Sequence, residues 1–438
     1  MASPEGESER GEKGRHPAYF LFAGHVLAVF SLALSNTLLG LTLLVTGWSR
    51  WRHRGKAATA LPRWQPSPAA RRWLGWLALY IALLFASVAM STSPQTSLRE
   101  LSDVFNLATA PLAIWLIRRD SQARWLVKAV IVVGLALAAM GLGQFFLGQD
   151  DLQNRIRGPL SHYMTFAGVL LICDCLLLAW IACGQGWRRW WAWASLLVLN
   201  LALLGSYTRN AWVALGVVII LLLLWRLPRR WLLVAPVSML LVALVITLLA
   251  PSPILQRVAS IADLEDPSNY DRLCMTYAGL NMVADRPVLG LGPHMVSEMY
   301  PLYRHPTAPR FWVPHLHNSF LNIAAERGLA SLLVFLVLLA SSGRTAWRLL
   351  REEGGADGPR AWLHIGVLLT LVAFSVSGLF EDNWADTEVQ RLFLFVLALP
   401  FCLDSVALSS PSSSGSSSSS GLALRRPGAT GQGTSGES

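Results

Sequence analysis

Apolar residues in this chain fall in long unbroken blocks, without the spacing that marks an amphipathic helix or a half-buried strand. Leu170–Ile181, Ala211–Trp225, Trp231–Ala250 and Leu329–Ala340 are the cores of four such blocks. Blocks that extend to about 18 residues or more predict helices that cross a membrane. Read this way, the chain has twelve spans: 18–34, 36–49, 72–90, 101–117, 123–146, 159–182, 188–205, 210–225, 231–250, 317–341, 361–380 and 388–406. Pro17–Ser49 is too long for one crossing, so Ser35-Asn36 is expected to be a tight turn between two short helices. The fold class expected is an all-α integral membrane protein with one large loop, 251–316, between spans nine and ten. Loops of that length carry function more often than they merely connect. Tyr270, Leu273, Tyr277, Leu280 and Ala284 make one stripe in it, which predicts a helix lying on the membrane surface or on the bundle. Ser268 is its candidate N-cap and Pro287 its stop.

Basic residues orient these spans. With the N-terminus inside, the inner loops hold Arg50 to Arg72, then Arg118, Arg119 and Arg124, then Arg188 and Arg189, then Arg226 to Arg230, and last Arg344 to Arg360. The short outer loops are poor in them, and the final one is acidic, with Glu381, Asp382, Asp386 and Glu388. That is the positive-inside bias, and it accounts for the net charge of +10 without a nucleic-acid partner. Composition agrees, because 53% hydrophobic and 14% charged residues leave too little polar surface for a soluble chain of 438 residues. Five cysteines show no metal or disulfide spacing, and no cleavable signal peptide is evident. The expected divisions are an inner segment 1–16, spans over 17–250, the outer loop 251–316, spans over 317–408 and a Ser-rich tail 409–438 that cannot bury a core.

Candidate chemistry gathers at the outer ends of the spans. Arg157, Arg209 and His317 lie near the N-termini of spans six, eight and ten, whose positive dipole ends face outward. If those helices cluster, guanidinium groups, dipoles and an imidazole form an anion pocket at the depth where a lipid-borne pyrophosphate would lie. Arg272 sits on the predicted loop helix beside Asp271. His315 and His317 make an H-x-H pair without a third ligand at metal spacing, so no metal and no cofactor is expected. Three charges stand apart from this scheme: Asp174 deep in span six, and Glu326 with Arg327 inside span ten.

Asp285-Arg-Pro-Val-Leu-Gly-Leu-Gly-Pro-His294, followed by His315-Leu-His-Asn-Ser-Phe-Leu-Asn-Ile-Ala-Ala-Glu-Arg-Gly328, resembles the signature region of the O-antigen ligase family, within the ligase and polymerase superfamily. Ser206-Tyr-Thr-Arg-Asn-Ala-Trp212 and Arg155-Ile-Arg-Gly-Pro159 resemble its other markers, arginines in short outer turns that open apolar helices. The resemblance implies a bacterial inner-membrane glycosyltransferase whose site faces the periplasm. Its partners would be an undecaprenyl-pyrophosphate-linked glycan donor, a lipid A–core acceptor and membrane lipid. By the same resemblance Arg209 and Arg272 would hold the pyrophosphate, and His317, or His315 in its place, would act as base on the acceptor hydroxyl or orient it. Arg157, His315, Asn318 and Asp382 would bind substrate, with Asp382 or Asp386 orienting the histidine or the acceptor. No outer Asp-x-Asp pair is present, so displacement with inversion and without a metal is expected. Two other readings remain: an O-antigen polymerase or protein oligosaccharyltransferase with the same donor, and a lipid or solute carrier.

Overall fold

The computed structural model describes residues 17–52, 65–148, 155–184, 186, 188–226, 263 and 266–409. The predicted ninth span, the N-terminal segment and the Ser-rich tail lie outside the described residues. All regular structure in the described part is helical. The main helices are α1 (Pro17–Leu27), α2 (Leu32–Arg52), α3 (Pro68–Ala89), α4 (Ser102–Leu107), α5 (Thr109–Leu116), α6 (Asp120–Phe146) and α7 (Tyr163–Ala182). They continue as α8 (Trp190–Gly205), α9 (Arg209–Arg226), α10 (Pro267–Asp285), α11 (Met295–Tyr303), α12 (Ser319–Glu352), α13 (Ala361–Gly378) and α14 (Thr387–Ser409). Seven of these are long and apolar enough to cross a membrane: α2, α3, α6, α7, α12, α13 and α14. Shorter apolar helices occupy the other predicted spans that fall within the described residues.

Packing explains which residues lie where. Helices α7 and α14 are buried along almost their whole length, and α13 covers both. The outer faces are apolar too, with Leu44, Val132, Leu197 and Leu333 all exposed, as lipid-facing surfaces require. Close approach depends on small residues: a Cβ on Gly134 of α6 would lie 2.4 Å from the sulfur of Cys173 on α7. Asp174 has a partner after all, since the side-chain amide of Asn200 on α8 donates to it at 3.2 Å.

Several predicted boundaries move, each for a physical reason. The first turn lies at 28–31, and Ser35 and Asn36 sit inside α2. They are polar because they receive the guanidinium of Arg391 from α14, together with Asn106. Span four is not one helix but a series of short turns from Pro94 to Leu116. The N-cap of the loop helix α10 lies two residues before Ser268, because Asp266 caps it by accepting from the Ser268 and Asn269 amides. Its apolar stripe points outward, with Leu273 and Leu280 each 58% exposed. The helix rests on the bundle through the opposite face, Cys274, Met275, Ala278 and Met282.

Span ten is broken at Gly328, whose φ of 79° lies in the left-handed region. Residues 319–327 form a short separate helix, so Glu326 and Arg327 precede the long apolar stretch. The glycine-rich motif packs into this break. Leu291 and Gly292 donate to the carbonyls of Ala325 and Glu326, and Leu329 donates to Pro287. A Cβ at Gly328 would stand 1.9 Å from the Val288 carbonyl oxygen, and one at Gly290 would stand 2.4 Å from Glu326 backbone. Both signature stretches are therefore two sides of one joint. Behind it Met275, Met282, Met295, Val296 and Tyr300 form a small second core that fixes α10 and α11 over the bundle.

Candidate active site

A cavity of about 290 Å³ opens where α7, α9 and α12 begin and α10 lies across them. Tyr163 and Met164 enter it from the start of α7, Arg209 and Asn210 from the start of α9, and His317 from just before α12. Three helix N-termini thus converge, and α10 adds Asp271, Arg272 and Met275. Each N-terminus brings unpaired amides and the positive end of a dipole, so the cavity suits an anion. Among the described residues, Tyr207 and His317 both line this cavity with positive φ, 52° and 49°. Strained backbone of that kind costs about 1–3 kcal/mol per residue and persists where surrounding packing imposes it.

Arg209 is 9% exposed and is held by α10: its guanidinium donates to Asp266 at 3.3 Å, Ser268 at 3.0 Å and Asn269 at 3.2 Å. Arg272 is different. It makes no ion pair or side-chain hydrogen bond among the described residues. Burial holds its guanidinium below the usual value, with Arg209 adding to that, against the pull of Glu381 and Asp266. A half-buried cation in this state gains most from an incoming anion. Arg310 reaches in from the loop and pairs with Asp271 at 2.9 Å.

His317 is anchored from behind. Its Nδ1 lies 2.9 Å from Glu381, a buried carboxylate in the loop between α13 and α14. Burial pushes the Glu381 carboxyl up, but the hydrogen bond and charge of His317, with His315 and Arg272, outweigh it and leave the group below its ordinary value. An ionised carboxylate only accepts, so Nδ1 must carry a proton, and in the neutral imidazole the lone pair then lies on Nε2. His315 lies beside it, ring centres 4.4 Å apart and planes inclined at 59°, with Nε2 3.7 Å from the same carboxylate. The ligand atoms of His315, His317 and Glu381 all lie within 4.8 Å of one another. That set could hold a transition ion, and it contains the third ligand that the spacing of the chain did not offer.

The other sequence candidates take different places. Arg157 is exposed, donates to the Ser161 carbonyl, and does not line the cavity. Arg155, two residues earlier, is buried and lines it, with its guanidinium 4.3 Å from the centre of the Tyr163 ring. Both lie in one Arg-x-Arg turn, and only the fold says which points inward. Asn318 caps α12 by accepting from the Leu321 amide. Asp382 is buried behind His315 and lines neither cavity at the site; burial raises its carboxyl against the charges of His315 and Arg327. Asp386 accepts from the Thr165 hydroxyl. Glu381, adjacent to Asp382 in the acidic loop between α13 and α14, is the residue that meets the histidine.

A second cavity of about 340 Å³ adjoins the first. Arg209, Asn210, Arg272 and His317 line both. Its remaining wall is largely apolar, with Val213, Leu273, Leu316, Leu379 and Phe380.

Fold and site together define a multi-pass helical membrane protein with a cationic pocket at one end of its bundle. Residues 193–336 match the family model for O-antigen ligase. Over those residues the chain carries a domain of the O-antigen ligase family, which marks ligase- and polymerase-type membrane glycosyltransferases. The matched stretch contains Arg209, Arg272 and His317, while Arg155 and Glu381 lie outside it. No curated protein matched the chain.

Proposed function

We propose that this chain transfers a glycan from undecaprenyl pyrophosphate to a sugar hydroxyl of lipid A–core, at the periplasmic face of a bacterial inner membrane. One observation carries the reading: a polar cavity and an apolar one meet at Arg209, Arg272 and His317. That meeting point fits an amphipathic donor, its pyrophosphate between the arginines, its hydrocarbon along Val213, Leu273 and Phe380, and its glycan toward Arg155 and Arg310.

Catalysis would follow from the same placement. Arg209 and Arg272, with the helix N-termini, stabilise the charge that builds on the pyrophosphate as it leaves. His317 Nε2 accepts the proton of the acceptor hydroxyl while its oxygen attacks the anomeric carbon from the opposite side. The bond from that carbon to the pyrophosphate oxygen breaks, the lipid pyrophosphate departs, and the new glycosidic bond has inverted configuration. Glu381 holds the imidazole in the required tautomer and stabilises the imidazolium that forms. General-base assistance of this kind is worth about 10²–10⁴-fold. The sequence of steps needs no metal and no cofactor.

The test is glycan transfer in vitro with purified protein, lipid-linked O-antigen, lipid A–core and EDTA. Transfer by the wild type, lost in Arg209→Ala, Arg272→Ala and His317→Ala at equal folded protein, supports the proposal. Lengthening of the donor glycan with lipid A–core ignored would make the protein a polymerase. Absence of transfer to any acceptor would favour a carrier.

A further inference from the structure

Another cavity lies at the other end of the bundle, and the proposed reaction has no use for it. It measures about 620 Å³ and is bounded by the first turns of α3, the far half of α12 and the end of α14. Arg72, Arg344 and Arg348 line it, with Asp404 as the one carboxylate in its wall. Arg348 is committed to Asp404 at 2.7 Å and to Glu352. Arg72 and Arg344 make no ion pair or hydrogen bond among the described residues, and both are exposed. The N-terminus of α3, at Pro68 and Ala69, opens onto the same space and adds its dipole. The cavity therefore carries uncompensated positive charge.

Its other wall is apolar and aromatic. Trp73 and Phe401 form a buried floor with ring centres 5.2 Å apart, and Trp76 is 40% exposed at the mouth. Exposed tryptophan beside arginine at a helix end is the pattern of a membrane interface, where one part of a ligand is apolar and the other charged. Basic pockets between transmembrane helices on the inner side suit phosphate head groups.

We infer that this cavity binds an anionic glycerophospholipid of the inner leaflet, its phosphate between Arg72 and Arg344 and its acyl chains descending past Trp76. The site is separate from the glycosyl-transfer pocket and does not depend on that reading.

Native mass spectrometry of the full chain, titrated with phosphatidylglycerol, tests it. Phosphatidylcholine with the same acyl chains serves as the zwitterionic comparison, and inorganic phosphate as a competitor. Arg72→Gln/Arg344→Gln is set against Arg71→Gln/Arg351→Gln, which removes the same charge from exposed positions outside the cavity. Thermal melts establish that both variants fold. The expected result is selective retention of phosphatidylglycerol by the wild type, weakened roughly 25-fold in the cavity pair, at about fivefold for each guanidinium lost. The outer pair should stay within about twofold, as its charges lie outside the proposed phosphate site. Equal weakening in both pairs, equal retention of phosphatidylcholine, or displacement by matching concentrations of inorganic phosphate would overturn the inference. So would a gain in phosphatidylglycerol binding on deletion of residues 410–438, which would assign the cavity to the chain's own tail.

Discussion

Glu381→Gln is the sharpest perturbation of the proposed chemistry. The substitution keeps the size of a side chain only 5% exposed, so the packing around it should hold. What changes is the charge and the hydrogen-bond logic. The carboxylate can only accept, and it fixes the proton on His317 Nδ1 across 2.9 Å. An amide can also donate through its nitrogen, which would stabilise the other tautomer and put the proton on Nε2, where the acceptor hydroxyl needs a lone pair. It also removes the negative charge that would stabilise the imidazolium. Loss of general-base help predicts a fall in kcat of about 10²–10⁴, or roughly 3–5 kcal/mol of transition-state stabilisation. Donor binding should change much less, because Arg209 and Arg155 stay in place. The assay is steady-state transfer at varied donor concentration, with folded protein quantified by monodisperse elution. A Glu381→Gln enzyme within about threefold of wild type in kcat would refute the reasoning, since the expected loss is at least tens of fold larger. So would a defect confined to donor KM.

Further expectations follow from the same geometry. Arg155→Ala should weaken donor binding by about tenfold or more, the worth of a charge-assisted hydrogen bond, while Arg157→Ala should stay near wild type in a binding titration. Gly328→Ala forces a Cβ against the Val288 carbonyl at a φ of 79°, so a destabilisation of about 2 kcal/mol or more is expected in thermal melts. Burial raises the Asp386 carboxyl to about 7, against the hydrogen bond from Thr165. Its folded value then exceeds the unfolded one, the folded state binds the extra proton, and its contribution to stability is lost as pH rises from about 4 to 7. Asp386→Asn should therefore raise the melting temperature at pH 8 and leave it little changed at pH 4.

The sequence revealed the helical membrane architecture and the three residues that meet in the pocket much better than it revealed their surroundings. Long apolar blocks and loop arginines report directly on a lipid environment, which is why the helices fall close to their predicted spans. Short polar pairs are ambiguous. Ser35-Asn36 looks like a turn in the chain and is in fact an acceptor pair near the start of α2 for Arg391, a residue hundreds of positions away. The stripe on α10 had the right period, but apolar character does not say which face meets the protein when lipid is also available. The choice between Arg155 and Arg157, and the meeting of His317 with Glu381, depend on how helices distant in sequence pack. Spacing along the chain carries no trace of either.

Binding of a short-chain polyprenyl pyrophosphate tests the central claim most directly, since every proposed step begins with that group between Arg209 and Arg272. Isothermal titration of the purified full chain, with EDTA present, would compare wild type, Arg209→Ala, Arg272→Ala and the matching polyprenyl monophosphate. The expected result is saturable binding of the pyrophosphate by wild type, weakened about tenfold or more by either substitution or by loss of one phosphate. Equal affinity for both ligands, unaffected by either arginine, would contradict it.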